Sequence, residues 1–294
     1  MYKDQIQKDA DAAKRRQDNR LSWNAATKAH NSHRADQAKF LKNGGSTLFP
    51  EELALLGDLN NKELLHLMCN SGQDSLSLAA YGAKVTGVDI SDEAINFAKL
   101  LSIDSGIPTE FCCFDVYDWF SEAKKNEKLY DIIYTSYGVL HFLSDLDEWG
   151  EGIASLLKKG GKFIVIDFHP FIETLNWRRR HGRFPYFGDG APITYNRGIT
   201  DYIKSWKDLT TPSGYQKGVK YFKNPHKVHY YQWSISQIIG ALLKTGLKLE
   251  DFREYPFTNG AKQFWCMKVK ENRTAVLPEK YPNLPFMFSL VLKN

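Results

Sequence analysis

Residues 63–91 read ELLHLMCNSGQDSLSLAAYGAKVTGVDIS, and this stretch decides the fold. Glu63 to Met68 is an apolar run of strand length, and Cys69-Asn70-Ser71-Gly72 is a turn of small and polar residues. From Gln73 to Tyr81 the apolar positions Leu76, Ala79 and Ala80, flanked by Leu78, suit a short helix packed on a sheet. Gly82 supplies its stop. Lys84 to Val88 is a second strand, closed by Asp89. Strand, turn, helix and strand make a right-handed βαβ unit, whose ligand lies across the carboxyl ends of the strands. Gly72 lets the backbone approach that ligand, and the free amides of the following helix aim at the same place. Asp89 follows Gly72 by 17 positions, near the roughly 20 at which an acidic residue accepts hydrogen bonds from a ribose diol.

The turn holds one of the glycines of G-x-G-x-x-G, which argues against a dinucleotide. A pyrophosphate needs close backbone approach at several points, and Met68 and Asn70 carry side chains there. A nucleoside without phosphates asks less.

Residues 64–72 resemble the first strand and loop of the class I S-adenosylmethionine-dependent methyltransferases, which commonly read V-L-D-L-G-C-G-T-G. The strand, Cys69 and Gly72 are kept, whereas His66 replaces an acid and Met68 and Asn70 replace glycines. The variant C-x-x-G-Q-D, Cys69 to Asp74, resembles a bacterial branch of that family. The run Leu156 to Phe163, L-L-K-x-G-G-x-apolar, is a more specific family signature. Tyr137 to Leu143 is similar to the family's segment after strand four. The likeness covers residues 50–170 well and 232–294 loosely.

It implies an α/β fold with a seven-stranded, mostly parallel sheet, helices on both faces and S-adenosyl-L-methionine as cofactor. Residues 1–48 are then an N-terminal helical lid, 49–170 the cofactor-binding core, 171–231 a β-rich insertion capping the substrate, and 232–294 the last helix and closing hairpin. The implied cofactor residues are Met68, Cys69, Asn70 and Gly72 of the loop, Asp89 with Ile90, Asp115 with Val116, and Thr135 with Ser136. In the family the acid after strand three meets the adenine amino group and the next residue offers its amide.

Along the rest of the chain the elements can be placed in turn. Residues 1–45 read as helical up to Asn43-Gly44-Gly45-Ser46, and Phe49-Pro50 opens a short helix through Leu56. Ser91-Asp92-Glu93 caps a helix running to about Ser102. Thr109 to Phe114 and Tyr130 to Ser136 are strands three and four, and Asp145 to Leu157 is a helix. A tight turn at Lys159 to Lys162 leads into strand five, Phe163 to Phe168. Within 171–231 the alternations at 220–222 and 228–231 suggest short antiparallel strands. Ser234 to Leu243 is the last helix, and Leu247 to Glu254 and Phe286 to Leu292 are strands six and seven.

Methyl transfer from a sulfonium is an in-line displacement, so the protein mainly positions the acceptor and removes its proton. His141 and His169 arrive from adjacent strand ends as candidate bases, and Tyr137 can orient a polar acceptor. Trp23, at helical spacing with Ala26 and His30, suits the cofactor mouth. Arg178 and Arg197, with Arg179, Arg180 and Arg183, are at hand for an anionic acceptor under the aromatic insertion.

Composition bounds the alternatives. With 43% hydrophobic and 25% charged residues the chain is ordinary for a globular protein, and no apolar run approaches the roughly 18–20 residues of a membrane span. Residues 1–20 are charged and lack an apolar segment, so no secretory signal is read there. Four cysteines without C-x-x-C spacing suggest buried thiols in a reducing cytoplasm, and no metal spacing is present. Residues 1–150 carry 16 Lys and Arg against 23 Asp and Glu, a net −7. Residues 151–294 carry 23 against 11, a net +12. That asymmetry admits an anionic partner, including nucleic acid. Strand four, however, ends in Thr-Ser-Tyr-Gly rather than the N/D-P-P-Y that resembles base-amine methylation. The expected partner is a small-molecule acceptor. A nucleic-acid methyltransferase and a cofactor-binding module without catalysis are the alternatives.

Overall fold

The computed structural model describes residues 2–175 and 184–294. Three helices lead the chain: α1 (Tyr2–Ser32), α2 (Gln37–Lys42) and α3 (Pro50–Leu56). The N-terminal helix therefore breaks earlier than the glycine pair suggests, because Asp36 accepts from the Lys39 amide at 2.9 Å and starts α2. The core follows as β1 (Glu63–Leu67), α4 (Gln73–Ala80), β2 (Lys84–Asp89), α5 (Asp92–Ser105), β3 (Glu110–Cys113), α6 (Val116–Lys125), β4 (Tyr130–Ser136), α7 (Leu146–Leu156) and β5 (Leu157–Phe168). Then come α8 (Phe171–Thr174), β6 (Ile193–Tyr195), α9 (Tyr202–Trp206), β7 (Val228–Tyr230) and α10 (Ile235–Lys244). The chain closes with β8 (Lys248–Tyr255), β9 (Phe257–Asn259), β10 (Lys268–Val269), β11 (Thr274–Val276) and β12 (Met287–Lys293).

Seven strands form the main sheet in the order β3-β2-β1-β4-β5-β12-β8. The pairs from β3 to β5 are parallel, and β12 alone runs antiparallel, between β5 and β8. Period-two alternation splits each central strand between two cores. Leu64, Ile132, Tyr134, Ile164 and Ile166 face Leu55, Leu56 and Leu78 on one side. Leu65, Ile133, Phe163 and Val165 face Trp119, Trp149, Ile153 and Leu242 on the other. Burial on both faces explains why these strands read as continuous apolar runs.

Several expectations need correction. Strand five begins at Leu157, upstream of the Lys159–Lys162 turn. Tyr130 pairs with Leu157 and Ile132 with Lys162, so residues 158–161 bulge out within the strand. A Cβ on Gly161 would lie 2.9–3.1 Å from three backbone carbonyl oxygens, which only glycine avoids. In the insertion, β6 and β7 form one antiparallel ribbon, but residues 220–222 form no strand. The amides just before them are taken by the end of α1: Gly218 donates to His33 Nδ1 at 3.1 Å and Val219 to Ser32 Oγ at 3.0 Å. The closing pair β8 and β12 is antiparallel, but a separate three-stranded sheet, β10-β11-β9, stands in the connection. Of the four cysteines, all free, only Cys69 is buried. Cys113 is exposed because β3 is the edge of the sheet. No helix among the described residues is long and apolar enough to cross a membrane.

Candidate active site

The loops at the carboxyl ends of β1 to β5 open into one cavity of about 530 Å³, roofed by α1, the insertion and the small sheet. Helix α1 ties this roof together. Arg15 Nε donates to the Tyr231 hydroxyl at 3.1 Å, Asn19 Nδ2 to the His229 carbonyl at 3.0 Å, and Arg20 and Asn24 reach Asp92 at 2.9 and 2.7 Å. Trp23 lines the cavity with its ring edge-on to Phe142 at 5.7 Å.

The loop after β1 keeps a glycine-like backbone without the glycines. Met68 and Asn70 have φ of 56° and 50°, a left-handed conformation that costs an ordinary side chain about 1–2 kcal/mol. Local hydrogen bonds offset that strain: the Asn70 amide donates to Asp89 Oδ2 at 2.8 Å, and Asn70 Oδ1 accepts from the Ser71 amide at 2.7 Å. Met68, Cys69 and Asn70 line the cavity; Gly72 is not among the lining residues. Its φ is 77°, and a Cβ there would fall 2.7 Å from Ala98 Cβ and Phe111 Cζ, so glycine serves close packing of α5 and β3 against the turn. His66, in β1, is buried. Burial pushes its imidazole down to about 4, so it is neutral, and Nδ1 meets Ser75 Oγ of α4 at 2.8 Å.

Asp89 caps the end of β2 inside the cavity. Besides the Asn70 amide it accepts the Ser91 amide on Oδ1 at 2.9 Å, which leaves a lone pair on each oxygen for a ligand diol. Burial, opposed by these amides, raises its carboxyl to about 6. Ile90 lies beside it in the wall. Asp115 and Val116 also line the cavity. Asp115 accepts the Tyr117 amide at 3.0 Å as the cap of α6 and faces Arg16 Nε at 3.6 Å, and burial raises it to about 6 against that cation's pull. Ser136 lines the wall, whereas Thr135 does not: it is buried with its hydroxyl on the Leu67 carbonyl at 3.2 Å.

The candidate bases separate on geometry. His169 is used on both nitrogens: Nδ1 accepts the Phe171 amide at 3.1 Å, and Nε2 faces Glu254 at 3.0 Å. Nε2 therefore carries the proton, and no nitrogen is left to take one from an acceptor. His141 lines the cavity between Phe142 and Tyr230, with centroids at 4.4 and 4.9 Å, and among the described residues its ring nitrogens have no hydrogen-bond partner. Burial pushes it down to about 4, so it is neutral and a weaker base than a free imidazole. Tyr137, with φ of 37°, accepts from Asn259 Nδ2 at 2.8 Å. Burial and the neighbouring Glu52 hold its hydroxyl protonated. The loop bearing Tyr137 and His141 is held by Asp167, which accepts from the backbone amides of Gly138, Val139, Leu140 and Phe168.

Arg197 is exposed and is not a lining residue; Arg178, Arg179, Arg180 and Arg183 lie outside the described residues. Among the described residues, the guanidiniums in the wall are those of Arg16, Arg34 and Arg273. Arg34 bonds Asn31 Oδ1 at 3.2 Å, and Asn31 and Gln37 meet Gln73 at 3.1 and 2.8 Å, joining the N-terminal helices to the first turn. Asp74, which accepts from the Thr47 hydroxyl, also faces the cavity. Asp74 closes the C-x-x-G-Q-D turn after β1, whereas sequence pattern gives no warning of Arg34, Asn259 or Arg273, since none of these follows a main-sheet strand. Among the described residues no cluster of His, Cys, Asp and Glu could hold a metal ion.

Solved structures share this fold. An S-adenosylmethionine-dependent methyltransferase from Mesorhizobium loti superposes with a TM-score of 0.52 at 16% identity, over 85% of this chain and 99% of that one. Another, from Clostridium acetobutylicum, gives 0.51 at 14%, over 87% and 91%. The fold is that of a class I methyltransferase. Residues 65–163 match the family model described as a methyltransferase domain. A ubiquinone biosynthesis O-methyltransferase from Nitrosomonas europaea is 33% identical over 153 residues, 51% of this chain and 60% of that protein. One from Photorhabdus laumondii is 32% identical over 124 residues, 42% of this chain and 47% of that protein. The chain thus spans about half the length of the curated relatives it matches.

Proposed function

We propose that the protein is an S-adenosylmethionine-dependent methyltransferase acting on a small-molecule acceptor, by O- or N-methylation, inside the roofed cavity. The observation that carries this reading is the single cavity in which the Met68–Asn70 loop, Asp89 and Asp115 face the same space as the aromatic wall and His141. The residues fit the cofactor: Asp89 keeps free lone pairs for a ribose, Asp115 and Val116 stand at the adenine end, and Arg34 offers charge for an amino-acid carboxylate. When bound, the cofactor supplies an electrophilic methyl group; the acceptor's lone pair forms the new bond, the old electron pair stays on sulfur, and the acceptor's proton leaves.

The chain's own contribution is placement. His141 is the base within the cavity, Tyr137 orients the acceptor, and Asp167 fixes the loop that carries both. Residues 1–48 and 171–231 act as lid and cap, a division supported by the α1 hydrogen bonds to Tyr231 and His229. The C-x-x-G-Q-D turn resembles that of a bacterial branch of the family, and the Asn70 and Asn31 contacts give that turn its own bonding pattern. O-methylation is favoured by the names of the curated relatives.

The test measures S-adenosylhomocysteine release with small hydroxylated and amino acceptors, with RNA and DNA as controls. Release with small acceptors and none with polynucleotides is expected. Activity on RNA, with binding that falls steeply with salt, would overturn the reading.

A further inference from the structure

We propose that the small sheet β10-β11-β9 is the acceptor-recognition element, and that Arg273 and Asn259 select an acceptor carrying an anionic group close to a hydroxyl or amine donor. This rests on reading the cavity as a site of methyl transfer.

Asn259 stands apart from Asp89 and Asp115 in the fold. Asp89 and Asp115 follow β2 and β3, on one half of the sheet, whereas Asn259 ends β9 and reaches the loop after β4 from the side of β12. Asn259 is 2% exposed, and both protons of its Nδ2 are committed, to the Tyr137 hydroxyl at 2.8 Å and to Glu51 Oε2 at 3.2 Å. Its Oδ1 is buried without a partner, in a residue that lines the cavity. A buried acceptor left without a donor is unfavourable, so the site is completed by a ligand that brings an O–H or N–H.

Arg273 supplies the second half of the match. One terminal nitrogen donates to the Thr47 carbonyl at 2.8 Å, and the guanidinium carbon stands 4.2 Å from the Phe49 ring centroid, so the planar fork is oriented by stacking. Among the described residues it forms no ion pair. Asp74 attracts it from beyond ion-pair distance, burial holds the neighbouring Glu52 largely neutral, and desolvation works against the Arg273 charge. A fixed, partly desolvated guanidinium with free N–H groups in a cavity wall fits a carboxylate or phosphate oxygen. Arg34 is tied to Asn31, which meets the Ser71 hydroxyl of the first turn, and is assigned to the cofactor, so the S-adenosylhomocysteine readout separates its role from that of Arg273.

The experiment titrates protein saturated with S-adenosylhomocysteine against salicylate, 4-hydroxybenzoate and 3,4-dihydroxybenzoate, each paired with its uncharged primary amide. Wild type should bind at least one acid about tenfold to a hundredfold more tightly than its amide, the range of a charged hydrogen bond. Arg273→Gln should bring acid and amide together while S-adenosylhomocysteine affinity changes less than about twofold. Arg273→Lys should retain part of the preference, and thermal unfolding checks that both variants fold. Equal binding of acids and amides by wild type, binding of neither, or an Arg273→Gln loss that falls on S-adenosylhomocysteine instead would overturn the proposal. Failure of wild type to bind S-adenosylhomocysteine at all would instead remove the methyltransferase reading beneath it.

Discussion

Replacing Asp89 by alanine tests the cofactor site and the turn at once. The carboxylate accepts the Asn70 amide at 2.8 Å and the Ser91 amide at 2.9 Å, and both are lost in Asp89→Ala. Each orphaned amide costs about 1–3 kcal/mol, toward the lower figure where water enters the space left behind. Asn70, held at φ of 50°, loses the bond that offsets its strain, so the turn loosens as well. Binding suffers separately: a carboxylate that accepts ribose hydroxyls contributes about 1.5–3 kcal/mol, so affinity for S-adenosylhomocysteine should fall about tenfold to a hundredfold. Thermal unfolding reads the first effect and titration calorimetry the second. A pH series adds a third check. Because burial raises Asp89 to about 6, wild-type affinity should weaken as pH falls below about 6, while the alanine variant loses that part of the dependence. Asp115, also raised to about 6, remains in both proteins, so the difference between the two curves is the informative quantity. A folded variant with lowered stability and unchanged affinity would refute the ribose assignment and leave Asp89 as the brace of the turn.

Four further substitutions bear on the account. Gly72→Ala should lower stability by about 2–5 kcal/mol, from the left-handed backbone at φ of 77° plus overlap with Ala98 and Phe111; unchanged unfolding would contradict the packing role. His141→Gln should reduce turnover with little change in S-adenosylhomocysteine affinity, whereas His169→Gln should act mainly on thermal stability through Phe171 and Glu254; the reverse pattern would exchange their roles. Glu52, raised by burial from 4.5 to about 8, keeps its proton in the folded chain where the unfolded chain releases it, so its contribution is full at low pH and lost as pH rises through about 8. Glu52→Gln should therefore flatten the decline of stability between about pH 4.5 and 8, and identical slopes in both proteins would contradict that burial.

Much of the fold was legible because residues buried on both faces of a parallel sheet leave unbroken apolar runs. The strand at Tyr130–Ser136 is read at its true position for that reason, and the Ser234-capped helix because its apolar residues recur at helical spacing. Asp89, Asp115 and the Met68–Asn70 turn were legible because the chain order β1, β2, β3 fixes where each loop opens. Gly72 shows the limit of pattern: a glycine at the right spacing looks like a ligand contact, yet its missing side chain is filled by Ala98 and Phe111. His169 was equally opaque, since Glu254 reaches it from a strand 85 positions later. The sheet at 257–276 escaped because its strands are two or three residues long, too short for any alternation to register. Its polar contributors, Asn259 and Arg273, enter the cavity through tertiary contacts with Tyr137 and Thr47 that no local signal encodes.

The most direct test of the central claim is calorimetric titration of the intact protein with S-adenosylmethionine and with NAD. The single glycine of the turn, the backbone of Met68 and Asn70, and the half-free carboxylate of Asp89 predict saturable binding of S-adenosylmethionine at one site and no displacement by NAD. Tighter binding of NAD than of the sulfonium would contradict it.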